Sequence, residues 1–283
     1  MEIRKAMFAG SWYPAAKPEC LSAIQRFLED PSLRKPAPKS PVGGIVLHAG
    51  WYFSGNLACQ VISSLKWGDP VETVVIFGMH LPQGERRYLM KAGAWETPFG
   101  EIEIDTVITG ALSKQFSFTL ETAHRFTPDN TIELQLPFIK YFHPEATLVP
   151  LGLPPEPDSL RIAESVAALA KTHGKNIRVI GSTDLTHYGP NYGFTPAGRG
   201  EKAISWVREV NDKRIVDAMV SLDPNRVMEE ALARHNACCP GAAASAIAAA
   251  KALGAKEAMV LGYTTSHDKS PGDSLVGYAG IVF

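Results

Sequence analysis

The residues able to do chemistry in this chain stand directly behind short apolar runs. GGIVL ends at Leu47 and is followed by His48, VVIFGM is followed by His80, and RVIGST is followed by Asp184 with His187 three residues on. Neutral imidazole is the commonest protein ligand for first-row metals, so two histidines from separate segments supply half a coordination sphere. A third donor is wanted. Cys239 precedes Pro240 and an Ala-rich stretch, where proline suits the first helical turn and the helix dipole favours a thiolate. Cys239 reads either as that ligand or, with Cys238, as a small apolar core residue, the usual behaviour of a free cysteine. Cys20 and Cys59 lie in helical patterns and read as packing.

Asp184 and His187, in STDLTHYG, suit a carboxylate that fixes a histidine tautomer and an imidazole free to move a proton. The bland alternative is that Asp184 or Ser182 caps a short helix through Leu185 to Tyr188. Glu133 falls in a helical pattern and faces either the site or solvent. His143, His173 and His235 lie beside loops or helix ends and read as solvated; His124 and His267, in polar loops, are left open. No GxGxxG follows a strand-like run, and neither GxxxxGK[ST] nor GxSxG occurs, so nucleotide binding and a serine-hydrolase elbow have no motif behind them.

These residues need elements that bring them to one edge. Pro41 to Leu47, Val71 to Phe77, Ala146 to Leu151 and Asn176 to Gly181 are continuous apolar runs of the kind buried on both faces of a parallel sheet. Between them, Ser54 to Lys66, Asp129 to Tyr141 (capped by Asp129 or Asn130) and Asp158 to Lys171 carry helical spacing. Two or three helices follow Gly200, ending in Gly241 to Leu253, and strands are expected at Ala258 to Tyr263 and Leu275 to Phe283. This alternation predicts a single α/β/α sandwich domain over residues 1–283, with a largely parallel sheet covered by helices on both sides. A hairpin-like pattern around Phe99-Gly100 predicts that the sheet is mixed. Pro-rich stretches at Lys35 to Pro41 and Leu153 to Pro157 are of loop length. Open sheets of this type bind ligands beyond the carboxyl ends of their strands, where His48, His80 and Asp184 stand.

Composition narrows the partners. In 283 residues, 28 Lys and Arg stand against 29 Asp and Glu, a net charge of -1 that gives no electrostatic footprint for nucleic acid or an anionic membrane surface. No apolar run approaches the roughly 18 residues of a membrane span, and the N-terminal MEIRKAMFAGSWYP lacks the core of a signal peptide, so a cytoplasmic location is expected. Four Cys in so long a chain do not make a disulfide framework.

FAGSWYP at Phe8 to Pro14, LHAGWYFSG at Leu47 to Gly55, TPFG at Thr97 to Gly100, IELQLPF at Ile132 to Phe138, STDLTHYG at Ser182 to Gly189 and the Cys239 segment after HNAC together resemble the Memo family, also called AmmeMemoRadiSam system protein B. The blocks are collinear over nearly the whole chain. The resemblance implies the fold of the LigB-type, class III extradiol dioxygenases, which hold non-haem Fe(II) between two His and a carboxylate, with Cys in the third position in Memo proteins. Carried over, the metal ligands fall on His48, His80 and Cys239, and the nearby polar pair on Asp184 and His187. The family implies Fe(II), or else Cu or Zn, and redox activity, with a phosphopeptide-binding role in its animal member and a genomic link to AMMECR-type and radical S-adenosylmethionine proteins. This chain departs from the pattern at GMHLP, where Met79 and Leu81 replace Ser and a second His, and at Asn130, which stands where an acid/base His is usual.

Three functions are compatible with these residues: a metal-dependent, dioxygenase-like redox enzyme acting on a small molecule, a non-catalytic protein that recognises a peptide or partner, and a metal-dependent hydrolase with His187 as general base.

Overall fold

Side chains alternate across a strand, and in this protein each side of the central sheet has its own core. The computed structural model describes residues 1–30 and 40–283, so most of the Pro-rich stretch at Lys35 to Pro41 lies outside the described residues. The N-terminal half runs β1 (Ile3–Arg4), α1 (Lys17–Glu29), β2 (Gly43–Val46), α2 (Trp51–Ser64), β3 (Thr73–Gly78), β4 (Tyr88–Met90), β5 (Ala94–Thr97), β6 (Gly100–Glu103), α3 (Thr106–Gln115) and β7 (Thr119–Glu121). Then come α4 (Asn130–Glu133), α5 (Leu136–Phe142), β8 (Thr147–Gly152), α6 (Pro157–Thr172), β9 (Ile177–Ser182) and β10 (His187–Tyr188). The chain closes with α7 (Glu201–Trp206), α8 (Asp212–Val220), α9 (Pro224–Arg234), α10 (Pro240–Leu253), β11 (Met259–Thr265) and β12 (Leu275–Val282).

The main sheet has the order β10-β12-β2-β9-β3-β8-β4-β7, with β11 on β12. Its centre, β2-β9-β3-β8, is parallel, while β12 and β4 run antiparallel to their central neighbours. The sheet is therefore mixed, but not for the reason the hairpin suggested. The β5-β6 hairpin forms, yet it pairs with β1 in a separate three-stranded sheet.

Ile45, Val75, Phe77, Val149 and Val179 point into one core, with α6, α8, α9 and α10; Val46, Val74, Ile76, Leu148 and Ile180 point into the other, with α1, α2 and α5. This is the expected helix-sheet-helix layering. The stretch Asp129 to Tyr141 forms two helices rather than one, because Pro137 has no N–H to continue the first. Asp129 caps α4 as expected, accepting from Thr131 N–H at 2.9 Å.

Helix α10 sets the position of the cysteines. From Pro240 through Ala250 its residues are all buried, as expected of a helix without a polar face. Its small side chains bring the backbone against β9 and β3. At Gly241 the approach is closest, since a Cβ there would overlap the Leu153 carbonyl oxygen behind β8. That contact holds the helix N-terminus, and Cys238 and Cys239 just before it, over the carboxyl ends of the parallel strands. Among the described residues no helix is long and apolar enough to cross a membrane.

Candidate metal centre

His48 leaves the end of β2 fully enclosed, its side chain 2% exposed. Its backbone N–H donates to Asp184 Oδ1 at 2.9 Å, and its Nδ1 lies 3.0 Å from Ser182 Oγ. The Ser182 hydroxyl donates its one proton to the Thr131 carbonyl at 2.7 Å, so it accepts from His48, and Nδ1 carries the hydrogen. Nε2 is left bare. The Asn130 side-chain amide donates to the His48 carbonyl at 2.7 Å, so this asparagine, at the family's usual histidine position, pins the end of β2.

His80 reaches the same place by a kink. Met79 has φ 71°, a left-handed conformation costly for a side chain of its size, and the Thr131 hydroxyl holds it by accepting from Met79 N–H at 2.7 Å. Gly78 permits this approach, because a Cβ there would overlap Thr131 Oγ1. The turn directs His80 back to Asp129, whose Oδ2 accepts from Nδ1 at 3.0 Å and from the backbone N–H at 3.2 Å. A carboxylate only accepts, so Nδ1 is again the donor outward, and Nε2 is the atom turned to Cys238. The His80 side chain is 44% exposed. Desolvation opposes its charge, but hydrogen bonds with Asp129 and Cys238 outweigh that and carry its pKa up to about 10. Burial would raise Asp129; the His80 and Thr131 hydrogen bonds win and lower it to about 2.

Both cysteines complete the cluster. Ligand atoms of His48, His80, Cys238 and Cys239 all lie within 4.8 Å of one another. Cys238, read from the sequence only as a small apolar core residue, faces the histidines: its Sγ lies 3.2 Å from His48 Nε2 and accepts from Asp184 N–H at 3.2 Å. The chain does not alternate here as a strand would, because the Cys238 amide donates to the Asp184 carbonyl while the Cys239 amide donates to Thr183 Oγ1, which turns the pair on its side. Cys239 is buried beneath it, with Sγ 3.6 Å from that of Cys238. Electrostatics divides the pair. Burial penalises both thiolates, but the Cys239 thiol and both imidazoles stabilise the one on Cys238 and lower its pKa well below the ordinary value, while Cys239, buried beside that charge, is raised. The thiolate belongs to Cys238, and Cys239 donates to it.

The donor set fits one ion. Tetrahedral bonds of about 2.0–2.3 Å place ligand atoms roughly 3.3–3.8 Å apart, so the cluster would contract by about an ångström at its widest.

Asp184 and His187 both line a cavity of about 620 Å³ beside the cluster, which His48 and His80 also border. Residues 185 to 188 form no helix, so neither Asp184 nor Ser182 is a cap. Asp184 is buried, which raises its pKa, and it braces His48. His187 Nδ1 lies 3.2 Å from the Leu185 carbonyl, and its ring stands edge-on to Tyr192 with 5.0 Å between centroids.

Other histidines and Glu133 lie elsewhere. Glu133 faces neither the cavity nor solvent: it is buried and accepts from Met7 N–H, Phe8 N–H and Tyr13 Oη, tying down the N-terminal segment. His143 is buried rather than solvated, and burial with Arg178 and Lys66 nearby lowers its pKa to about 4. His173, His235 and His124 are exposed, and His267 is half-buried. Cys20 and Cys59 are buried in α1 and α2, and burial pushes each thiol up to about 12. Asp129 and Ser182, which orient the two imidazoles, were read from the sequence only as caps. The signal available was their hydrogen-bonding type, without a partner.

Two imidazoles and a cysteine pair at the strand ends of a mixed α/β sheet define a class of α/β protein with a His/Cys cluster whose ligand atoms could hold a metal ion. The chain belongs to the Memo-like protein family, whose pattern matches residues 4–282. MEMO1 family proteins of Thermococcus onnurineus and Pyrococcus furiosus are each 32% identical to it, covering 99% of this chain and 99% and 98% of their own lengths. One from Archaeoglobus fulgidus is 32% identical over 99% of both chains. Among solved structures, an uncharacterized protein of Escherichia coli K12 covers 78% of this chain and 91% of its own at 13% identity and a TM-score of 0.45, too distant a likeness to bear on the site.

Proposed function

We propose that this protein is a metal-dependent redox enzyme, dioxygenase-like in type, that holds one non-haem iron or copper ion on His48 Nε2, His80 Nε2 and Cys238 Sγ and acts on a small molecule in the adjoining cavity. The observation that carries this reading is the orientation of the donors: both histidines spend Nδ1 on a partner outside the cluster and turn Nε2 to Cys238, which carries the stabilised thiolate. Two imidazoles and one thiolate suit Fe(II), Cu or Zn. Bound there, iron or copper would supply electron transfer and Lewis acidity. Asp129 and Ser182 orient the imidazoles, while Cys239 stabilises the thiolate by donating to it. His187, with Nδ1 turned to the Leu185 carbonyl, presents Nε2 as the atom that takes or gives a proton, and Tyr192 fixes its ring.

Metal analysis and spectroscopy of protein purified and reconstituted without oxygen test this reading. One iron or copper per chain, lost in Cys238→Ala, is the expected result; no stoichiometric metal in the wild-type protein overturns it. The same His187 geometry also suits hydrolysis with this histidine as general base. Activity on an ester or phosphoester panel that survives without oxygen and disappears on chelation would select hydrolysis, whereas oxygen-dependent turnover of a catechol panel would select the redox reading.

A further inference from the structure

A second cavity, of about 660 Å³, opens on the other side of the donor cluster. The two meet the cluster at different residues: His48 lines only the first, Cys238 only the second, and His80 borders both. His187 and Tyr192 also border both and form the partition between them. Their walls differ in kind. The first cavity carries Ser11, Asn130, Asp184, Ser266, Ser270 and Ser274. The second contains no carboxylate, amide, lysine or arginine side chain; beyond the rings beside the cluster its wall is Leu81, Pro82, Pro155, Leu185, Phe194 and Leu232, with alanines between and His235 edge-on to Phe194.

Away from the cluster, His235 is the one ionisable side chain of this wall, so an ionised group placed against the leucines, prolines and Phe194 would lose its hydration without compensation. Apolar groups gain instead, by leaving water and displacing water that the wall holds poorly. The volume is that of a small-molecule site. We infer that the second cavity binds the uncharged apolar part, an aryl or branched alkyl group, of a small ligand whose polar head reaches the donor cluster. This rests on the metal-centre reading and adds a substrate class to it: a compact polar head joined to an uncharged apolar group.

The test loads the whole protein with Co(II), whose absorption reports a thiolate ligand, and titrates it with acetohydroxamate and benzohydroxamate, which share a chelating head and differ by methyl against phenyl. Phenyl burial is expected to tighten binding by about tenfold or more. Leu232→Arg, on the exposed rim of α9, should bring the ratio close to one with cobalt uptake unchanged, whereas Ser270→Ala in the first cavity should preserve it. Equal wild-type affinities, or a ratio indifferent to Leu232→Arg, overturn the proposal. Failure to take up cobalt would count against the metal centre alone, and fluorine NMR of 4-fluorophenol then decides the cavity. Broadening by the wild-type protein and not by Leu232→Arg supports the apolar site without a metal; a sharp line with both overturns it.

Discussion

The ends of β2 and β3 present the same imidazole nitrogen to the same point, but they hold it by opposite means. His48 is sealed and relies on a hydroxyl relayed to a backbone carbonyl; His80, 44% exposed, relies on a carboxylate. A neutral acceptor suits the buried position, because a second carboxylate beside Asp184 would carry a large desolvation penalty. Where water reaches, the carboxylate is tolerated and adds charge-assisted strength. His143 has only a backbone partner, at Ile62, and an unpaired Nε2: burial, with Arg178 and Lys66 nearby, outweighs that bond and its pKa falls to about 4.

Replacing either ligand should have the largest effect and should separate the two ends. His48→Gln and His80→Gln are both expected to abolish stoichiometric metal uptake, but only His48→Gln should also destabilise the metal-free fold, by about 2 kcal/mol, because it orphans buried partners. Urea unfolding of both variants checks this; equal destabilisation breaks the contrast. Next, Asp129→Asn keeps an acceptor and an N-cap while losing the charge, and should weaken metal binding by about 10–100-fold with little change in stability. Competition with a chelator measures it. Ser182→Ala should show the reverse emphasis, losing about 1–2 kcal/mol of stability by leaving His48 Nδ1 and the Thr131 carbonyl unpaired and weakening metal binding by about tenfold.

The last effect lies away from the metal cluster, concerns His143 and appears only in acid. Its folded pKa of about 4 lies below the ordinary 6.5, so between these values the unfolded chain binds the extra proton. Stability from this group is full above pH 6.5 and is lost as pH falls towards 4. Unfolding at pH 7 and pH 4.5 should therefore differ by about 2–3 kcal/mol less in His143→Gln than in wild type. An unchanged difference would show that burial does not govern this imidazole.

Much of the frame was legible in the sequence because it follows from local pattern. Continuous apolar runs such as Val71 to Phe77 mark strands covered on both faces, and the residues after them must lie on the binding edge, which located His48, His80 and Asp184 together. The limits appeared where one local pattern had two tertiary meanings. TPFG forms a hairpin in either case; whether it joins the main sheet depends on β1, far away in sequence. A histidine beside a loop looks solvated, and only the packing of α5 against α2 buries His143.

The cysteine pair shows the division most clearly. Types and spacing determined that a thiol stands before a buried helix whose N-terminus favours an anion, and that two histidines stand at strand ends. Which thiol carries the charge was decided only in the folded chain, because Cys238 and Cys239 share nearly the same sequence environment and differ in what they touch. Cys238 meets His48 Nε2, the Asp184 amide and the Cys239 thiol, all of which favour its thiolate. Cys239 lies beneath it in the core, where desolvation and the neighbouring negative charge keep its proton on. Three-dimensional contact sets that difference, and contacts 54 to 190 residues apart in the chain leave no trace in the spacing of adjacent residues.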